Sequence, residues 1–179
     1  IGPATITTDN SVITTDNGEY NTDTKEAKLH SRSKVVNENR VIEADTLVSN
    51  DVTGHNEGFG NVVYTDVKNK NELHSGHFIY NKLTGMGFAT ARECDGDSLP
   101  LLIDYSQQDT LYMHSDTMRI ETYYIETDSV YRKVYGYPHA RVYRADIQAV
   151  SDSLVGNSRD SVLIMYKDPL VWYGEQQLM

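Results

Sequence analysis

Residues 78–90 read Phe78-Ile79-Tyr80-Asn81-Lys82-Leu83-Thr84-Gly85-Met86-Gly87-Phe88-Ala89-Thr90. Two short apolar runs flank the segment from Asn81 to Gly85. Asn and Gly tolerate left-handed backbone, and an Asn side chain can fold back onto the amides that follow it, so the middle segment closes the two runs into a hairpin. The stretch predicts strand, tight turn, strand.

The pattern recurs. Asn21-Thr22-Asp23-Thr24-Lys25 precedes Ala27 and Leu29, Asn50-Asp51-Val52-Thr53-Gly54 precedes Phe59, and Asn157-Ser158-Arg159-Asp160-Ser161 precedes Leu163 and Met165. A second element also repeats: Asp45-Thr46-Leu47, Asp116-Thr117-Met118 and Asp152-Ser153-Leu154. The first three Asn turns stand about 30 residues apart, which predicts stacked units of two strands each sharing one core. Short β-prone runs fill the intervals: Val62 to Val67, Leu111 to His114, Arg141 to Arg144 and Val162 to Tyr166. No long stretch carries apolar residues at helical spacing. Residues 93–100 and 126–138 look irregular and are the expected loops. Residues 1–179 are expected to form one all-β domain, with the possibility left open that it is a portion of a longer protein.

The bulk composition agrees. Tyr is abundant, 13 residues against one Trp and three Phe, and its ring suits half-buried strand positions. The formal net charge of −10 speaks against a general nucleic-acid binder, which needs a cationic face. The single cysteine, Cys94, excludes an internal disulfide framework. No apolar run reaches the roughly 20 residues of a membrane helix. The chain begins at Ile1 rather than Met, so a removed N-terminal segment is expected.

Catalytic and metal patterns are weak. His74 and His77 are three apart, a spacing that on a regular strand points the two rings to opposite faces. Asp95-Gly96-Asp97 lacks the further ligands of a calcium loop. No G-x-S-x-G, Walker or dinucleotide glycine pattern is present. Glu93 and Asp95 would raise the pKa of Cys94 and blunt it as a nucleophile. The expectation is a non-enzymatic protein with no cofactor and no metal.

Taken in order, the segments GPATITTDN, NGEYNTDTKEAKLHSRSKVV, IEADTLVSNDVTGHNEGFGNVVYTD, FIYNKLTGMGFATARE, YSQQDTLYMHSDTM and VYRADIQAVSDSLVGNSRDSVLIMYKDPLVWY span nearly the whole chain. The series resembles the OstA-like family, the LptA-type proteins of the periplasmic lipopolysaccharide-transport bridge. The resemblance implies a β-jellyroll, a half-pipe of antiparallel strands with a greasy interior. It also implies a periplasmic location, carriage of lipopolysaccharide between inner and outer membranes, and end-to-end docking with other jellyroll proteins of the bridge, or with itself, through edge strands. The family has no catalytic motif to transfer. This chain departs from it in being longer than a compact bridge protein.

A lipid conduit needs strands with one apolar face turned inward. Strand centres supply the candidate lining residues: Leu29, Val35 and Leu47; Phe59, Val63, Phe78 and Phe88; Leu111, Met113 and Met118; Ile147, Leu154 and Leu163. Each is equally suited to an ordinary core. Lys28, His30, Arg32 and Lys34 alternate and would share one strand face, so Lys28, Arg32 and Lys34 are candidate contacts for the anionic head group of lipopolysaccharide or lipid A. A solvated face that protects an edge strand is the plainer explanation. Two rival functions remain: a structural module pairing with partner proteins through sheet edges, and a carbohydrate-binding surface built on Tyr123, Tyr124, Tyr135 and Tyr137.

Overall fold

A computed structural model describes residues 2–9, 11–91, 99–125, 127–174 and the backbone of 176–178. Cys94 and the Asp95-Gly96-Asp97 triplet lie outside the described residues. All the regular structure among the described residues is β. In chain order the strands are β1 (Ala4–Thr7), β2 (Val12–Thr15), β3 (Gly18–Asn21), β4 (Glu26–Leu29), β5 (Ser33–Asn37), β6 (Arg40–Ala44), β7 (Thr46–Asn50), β8 (His55–Asp66), β9 (Asn71–Asn81) and β10 (Met86–Thr90). The second half holds β11 (Leu101–Asp104), β12 (Leu111–His114), β13 (Thr117–Tyr123), β14 (Tyr131–Tyr137), β15 (Ala140–Arg144), β16 (Ile147–Ser151), β17 (Ser153–Asn157), β18 (Val162–Tyr166), β19 (Leu170–Tyr173) and β20 (Gln176–Leu178).

Every pairing is antiparallel, and the pairings form two series. Sheet I runs β1-β2-β5-β6, then the second half of β8 and the first half of β9, then β11-β12-β15-β16-β19-β20. Sheet II runs β3-β4-β7, then the first half of β8 and the second half of β9, then β10-β13-β14-β17-β18. Only β8 and β9 pass through both sheets. They bend where Gly60 and Asn61, both with positive φ, stand opposite the single residue Gly76. A bulge of this kind turns a strand pair sharply.

The chain rolls round one edge. Hairpin turns of both sheets lie along one side, and the crossovers between sheets lie along the other. The roll is therefore a jellyroll hinged at a closed edge, with its mouth between two rows of hairpin tips. All four Asn motifs are tips of sheet II. Asn21, Asn50 and Asn81 each accept two backbone amides through Oδ1, and Asn157 accepts one. All three Asp motifs are crossovers from sheet I to sheet II. There Asp45 meets Arg32, Asp116 meets His139 and Asp152 meets Lys167, each partner coming from a neighbouring crossover.

The repeat is thus real in space, but the unit differs from the expected two strands. One period is a full circuit of the roll: β4 to β7, or the two long strands β8 and β9. The expected irregular stretch at 126–138 is also corrected, because Tyr131 to Tyr137 form β14. Likewise Lys28 and Lys34 lie on different strands, β4 and β5, separated by the crossover at His30 to Arg32.

The core lies between the sheets. On sheet I the inward row is Ile13, Val35, Ile42, Tyr64, Leu73, Leu102, Met113, Val142 and Ala149, neighbours strand to strand. On sheet II, Leu29, Leu47, Phe78, Met118 and Leu154 face it, each at most 1% exposed. The rings of Tyr64, Phe78 and Tyr80 pack with centroids 5.1 to 6.1 Å apart and fill the middle of the roll.

Candidate functional site

Beyond that aromatic cluster the filling changes. Toward the C-terminal end the inward position on β17 is Gly156, which has no side chain to set against Met113 and Leu163. A cavity of about 720 Å³ opens there between the sheets. Its walls are Leu73, Leu102, Leu111 and Met113 from sheet I, and Ile120, Val134, Gly156 and Leu163 from sheet II. Its rim is polar and belongs to the hairpin tips, with Lys68, Asn69, Lys70, Ser106, Gln107, Asp109, Ser158 and Ser161 among them. The size falls within the roughly 300–1,000 Å³ usual for ligand sites. An apolar trough under a wet rim suits an amphiphile: chains in the trough, head group in water.

The trough stops at Tyr64 and Arg132, which line its inner end. Arg132 forms an ion pair with Asp66 across the mouth, from sheet II to sheet I. Asp66 is 1% exposed, and its other carboxylate oxygen accepts the backbone and side-chain N–H groups of Asn69 at 2.9 and 3.0 Å. Burial opposes the charge on Asp66, but Arg132 and the Asn69 hydrogen bonds outweigh it and hold the carboxyl below its usual range. Nearer the N-terminus the mouth is closed by Asp51, which takes Lys82 at 3.0 Å and hydroxyls of Thr8 and Ser11 at 2.8 and 3.2 Å.

The sequence candidates divide into groups. Leu111, Met113 and Leu163 line the trough. Leu29, Val35, Leu47, Phe78, Met118 and Leu154 are buried in the inter-sheet core. Ile147 faces inward and is half-buried at the start of β16. Phe59, Val63 and Phe88 are where the expectation of an interior position fails: all three face outward, Phe59 at 41% and Phe88 at 39% exposure. Phe59 stacks instead on His77 at 4.3 Å. The residues that reasoning from sequence missed are Tyr64, Leu73, Leu102, Ile120, Val134 and Gly156. In Val62-Val63-Tyr64 both faces of the strand are apolar, so alternation alone could not choose Tyr64 over Val63. Gly156 contributes by having no side chain, which leaves no apolar signal.

The basic candidates are spoken for. Lys28 pairs with Glu26, Lys34 with Glu43, and Arg32 with Glu43 and Asp45. They wrap the outer surface at the closed edge rather than the rim. His74 and His77 both face outward, because the bend in β9 resets its alternation. They do not converge, however: His74 turns to Glu72 and His77 to Glu57. Among the described residues no group of three or more His, Cys, Asp or Glu is placed to hold a metal ion. Tyr123 and Tyr135 both donate to Glu121 at 2.6 and 2.9 Å, and Arg119 lies over the Tyr135 ring.

No family model and no curated protein matches the sequence. Among solved structures, the crystal structure of LptH is similar; it is described as the LptA-homologous periplasmic component of the conserved lipopolysaccharide transport device from Pseudomonas aeruginosa. The match has a TM-score of 0.55 at 13% identity and covers 72% of this chain and 82% of that one. Two sheets rolled from antiparallel hairpins about one closed edge, superimposing on that structure over most of its length, give this chain the OstA-like, LptA-type jellyroll fold.

Proposed function

We propose that this protein is a periplasmic, non-enzymatic lipid-transport scaffold. It takes the acyl chains of lipopolysaccharide or lipid A in the trough between its sheets and helps to bridge inner and outer membranes. One observation carries this reading: an open cavity with apolar walls, where a soluble sandwich would normally pack solid. Burial of hydrocarbon contributes roughly 0.8 kcal/mol per CH₂, so chains lying against Leu102, Met113, Val134 and Leu163 can be held without a charged contact. The likeness to a periplasmic transport component supports the location and the cargo.

The test is site-specific photo-crosslinking in cells. A crosslinker at Leu163 or Met113 should capture glycolipid, and one at the outward-facing Phe88 should not. Equal labelling at all three sites, or none, sinks the proposal.

A second role rests on the ends of the roll. Among the described residues, strands β1 and β3 at one end, and β18 and β20 at the other, are each paired with one neighbouring strand. Unpaired edges add strands from a partner. End-to-end pairing with another jellyroll protein, or with a second copy, would extend the trough. Concentration-dependent oligomers abolished by a proline at Ile164 would support this role; monomers at every concentration, without and with jellyroll partners, would remove it.

A further inference from the structure

Among the described residues, four buried side-chain polar atoms have no hydrogen-bond partner: Tyr64 Oη, Tyr80 Oη, Ser75 Oγ and Arg119 Nε. The two tyrosines pack against each other. Their rings are 5.3 Å apart, the residues are 3% and 2% exposed, and Tyr64 lines the inner end of the trough beside Arg132. Buried hydroxyls without partners destabilise a free protein, and phenylalanine would fill the same space without that cost. The apolar wall of the trough is mainly Leu, Met, Ile and Val, so Tyr64 brings an unsatisfied hydroxyl to one end of it, with Tyr80 packed against the Tyr64 ring.

We propose that Tyr64, Tyr80 and Arg132 form a polar subsite at the inner end of the trough that receives an oxygen atom borne by the chain region of the bound amphiphile, a hydroxyl or an ester or amide carbonyl. The inference rests on the lipid-binding reading above and narrows its ligand. A bare hydrocarbon leaves both hydroxyls unsatisfied, whereas an oxygenated chain gives them an acceptor. Burial, first, and the neighbouring Tyr80 push the Tyr64 pKa up, so its hydroxyl stays a donor. Arg132 spends Nη2 on Asp66 and Nε on Thr122, and a guanidinium has further N–H groups to offer. Neither hydroxyl is open to water in the free protein, so occupancy requires the Tyr64 ring to turn or the Asp66–Arg132 pair to part. A site built to hydrogen-bond an oxygen discriminates strongly against the analogue that lacks it.

The experiment compares dodecanoate, 3-hydroxydodecanoate and 12-hydroxydodecanoate, which differ only in whether and where an oxygen interrupts the chain. Binding is measured by calorimetry on the wild-type protein and on Tyr64→Phe, Tyr80→Phe and the double variant, with a thermal melt of each. The wild type should bind one hydroxylated probe about fivefold or more tightly than dodecanoate. In the double variant that ratio should fall to about one, with a raised melting temperature. Which hydroxylated probe is preferred tells whether the oxygen arrives near the head or at the chain tip. Equal wild-type affinities, a preference that survives both Phe substitutions, or a lowered melting temperature in the variants would overturn the subsite. If dodecanoate binds without any preference, only the subsite falls; if none of the three binds, the lipid-binding reading falls with it.

Discussion

Arg132, at the start of β14 in sheet II, donates through Nη2 to Asp66, the last residue of β8 in sheet I, and so joins the two sheets across the mouth of the roll. The aromatic-filled half lies on one side of this pair and the open trough on the other. A buried pair contributes little net stability when intact, since both charges are desolvated, but removing one partner strands the other.

Arg132→Ala should therefore cost about 3–5 kcal/mol of folding stability, because Asp66 would remain buried and charged. Replacing both residues with apolar ones of similar volume, Asp66→Leu with Arg132→Met, should cost much less. Urea denaturation of the three variants measures this; a single substitution no worse than the double would contradict the account.

Acid should act through the same carboxylate. Asp66 and Asp51 both titrate below their ordinary value of 3.8 in the folded protein: burial opposes ionisation in each, but Arg132 and Asn69 in one case, and Lys82, Thr8 and Ser11 in the other, outweigh it. A carboxyl with a depressed folded pKa stabilises the fold above its unfolded pKa, and the stabilisation is lost as pH falls through the folded value. Stability attributable to these groups should be flat above about pH 5 and fall below about pH 4. The acid limb should be shallower in Asp66→Asn, as read from urea midpoints across the pH range.

The inward and outward faces should respond oppositely to truncation. Leu47→Ala removes a side chain that is 1% exposed and should cost about 2–5 kcal/mol. Phe88→Ser, on the outer face, should cost well under half of that. Equivalent losses would mean that the outer face of sheet II is covered in solution.

Filling the trough should weaken the proposed lipid binding without unfolding the protein. Gly156 has ordinary strand geometry, and a Cβ there would meet Met113 Cε at 3.4 Å and Leu163 Cδ1 at 3.6 Å, which is normal contact. Gly156→Leu projects further carbon atoms into the space a chain would occupy. Displacing even two methylenes of ligand would weaken binding by about tenfold. Fluorescent-lipid titration, with circular dichroism to show that the fold is retained, provides the check; unaltered affinity would place the lipid elsewhere.

The strands were legible wherever turn chemistry was local. The Asn81 motif could be read as a hairpin because its Oδ1 bonds lie within three residues of the chain. The same holds for Asn21, Asn50 and Asn157. Lys28 to Val35 was less legible, since alternation continues straight through the crossover at His30 to Arg32: both sheets keep their outer faces wet, so the exposure pattern does not break where the chain changes sheet. Phe59 and Phe88 were misplaced for a related reason. Aromatic strand residues occur on both faces of this roll, and only the register against β9, where Phe59 meets His77 and Phe88 meets Ile79, tells which face each takes.

Local chemistry along the chain, then, determined the all-β class, the hairpin tips and the Asp corners, because a turn is decided by φ preferences and hydrogen bonds between near neighbours. It also set most of the buried row, since period-two burial follows from strand geometry. The trough and its polar inner end were decided only by tertiary structure. They arise where Val134 on β14 and Gly156 on β17 face Leu102 and Met113 across the roll, and where Asp66 meets Arg132 from far along the chain. A cavity is the volume left between distant segments, and no stretch of sequence holds a record of space that only packing creates.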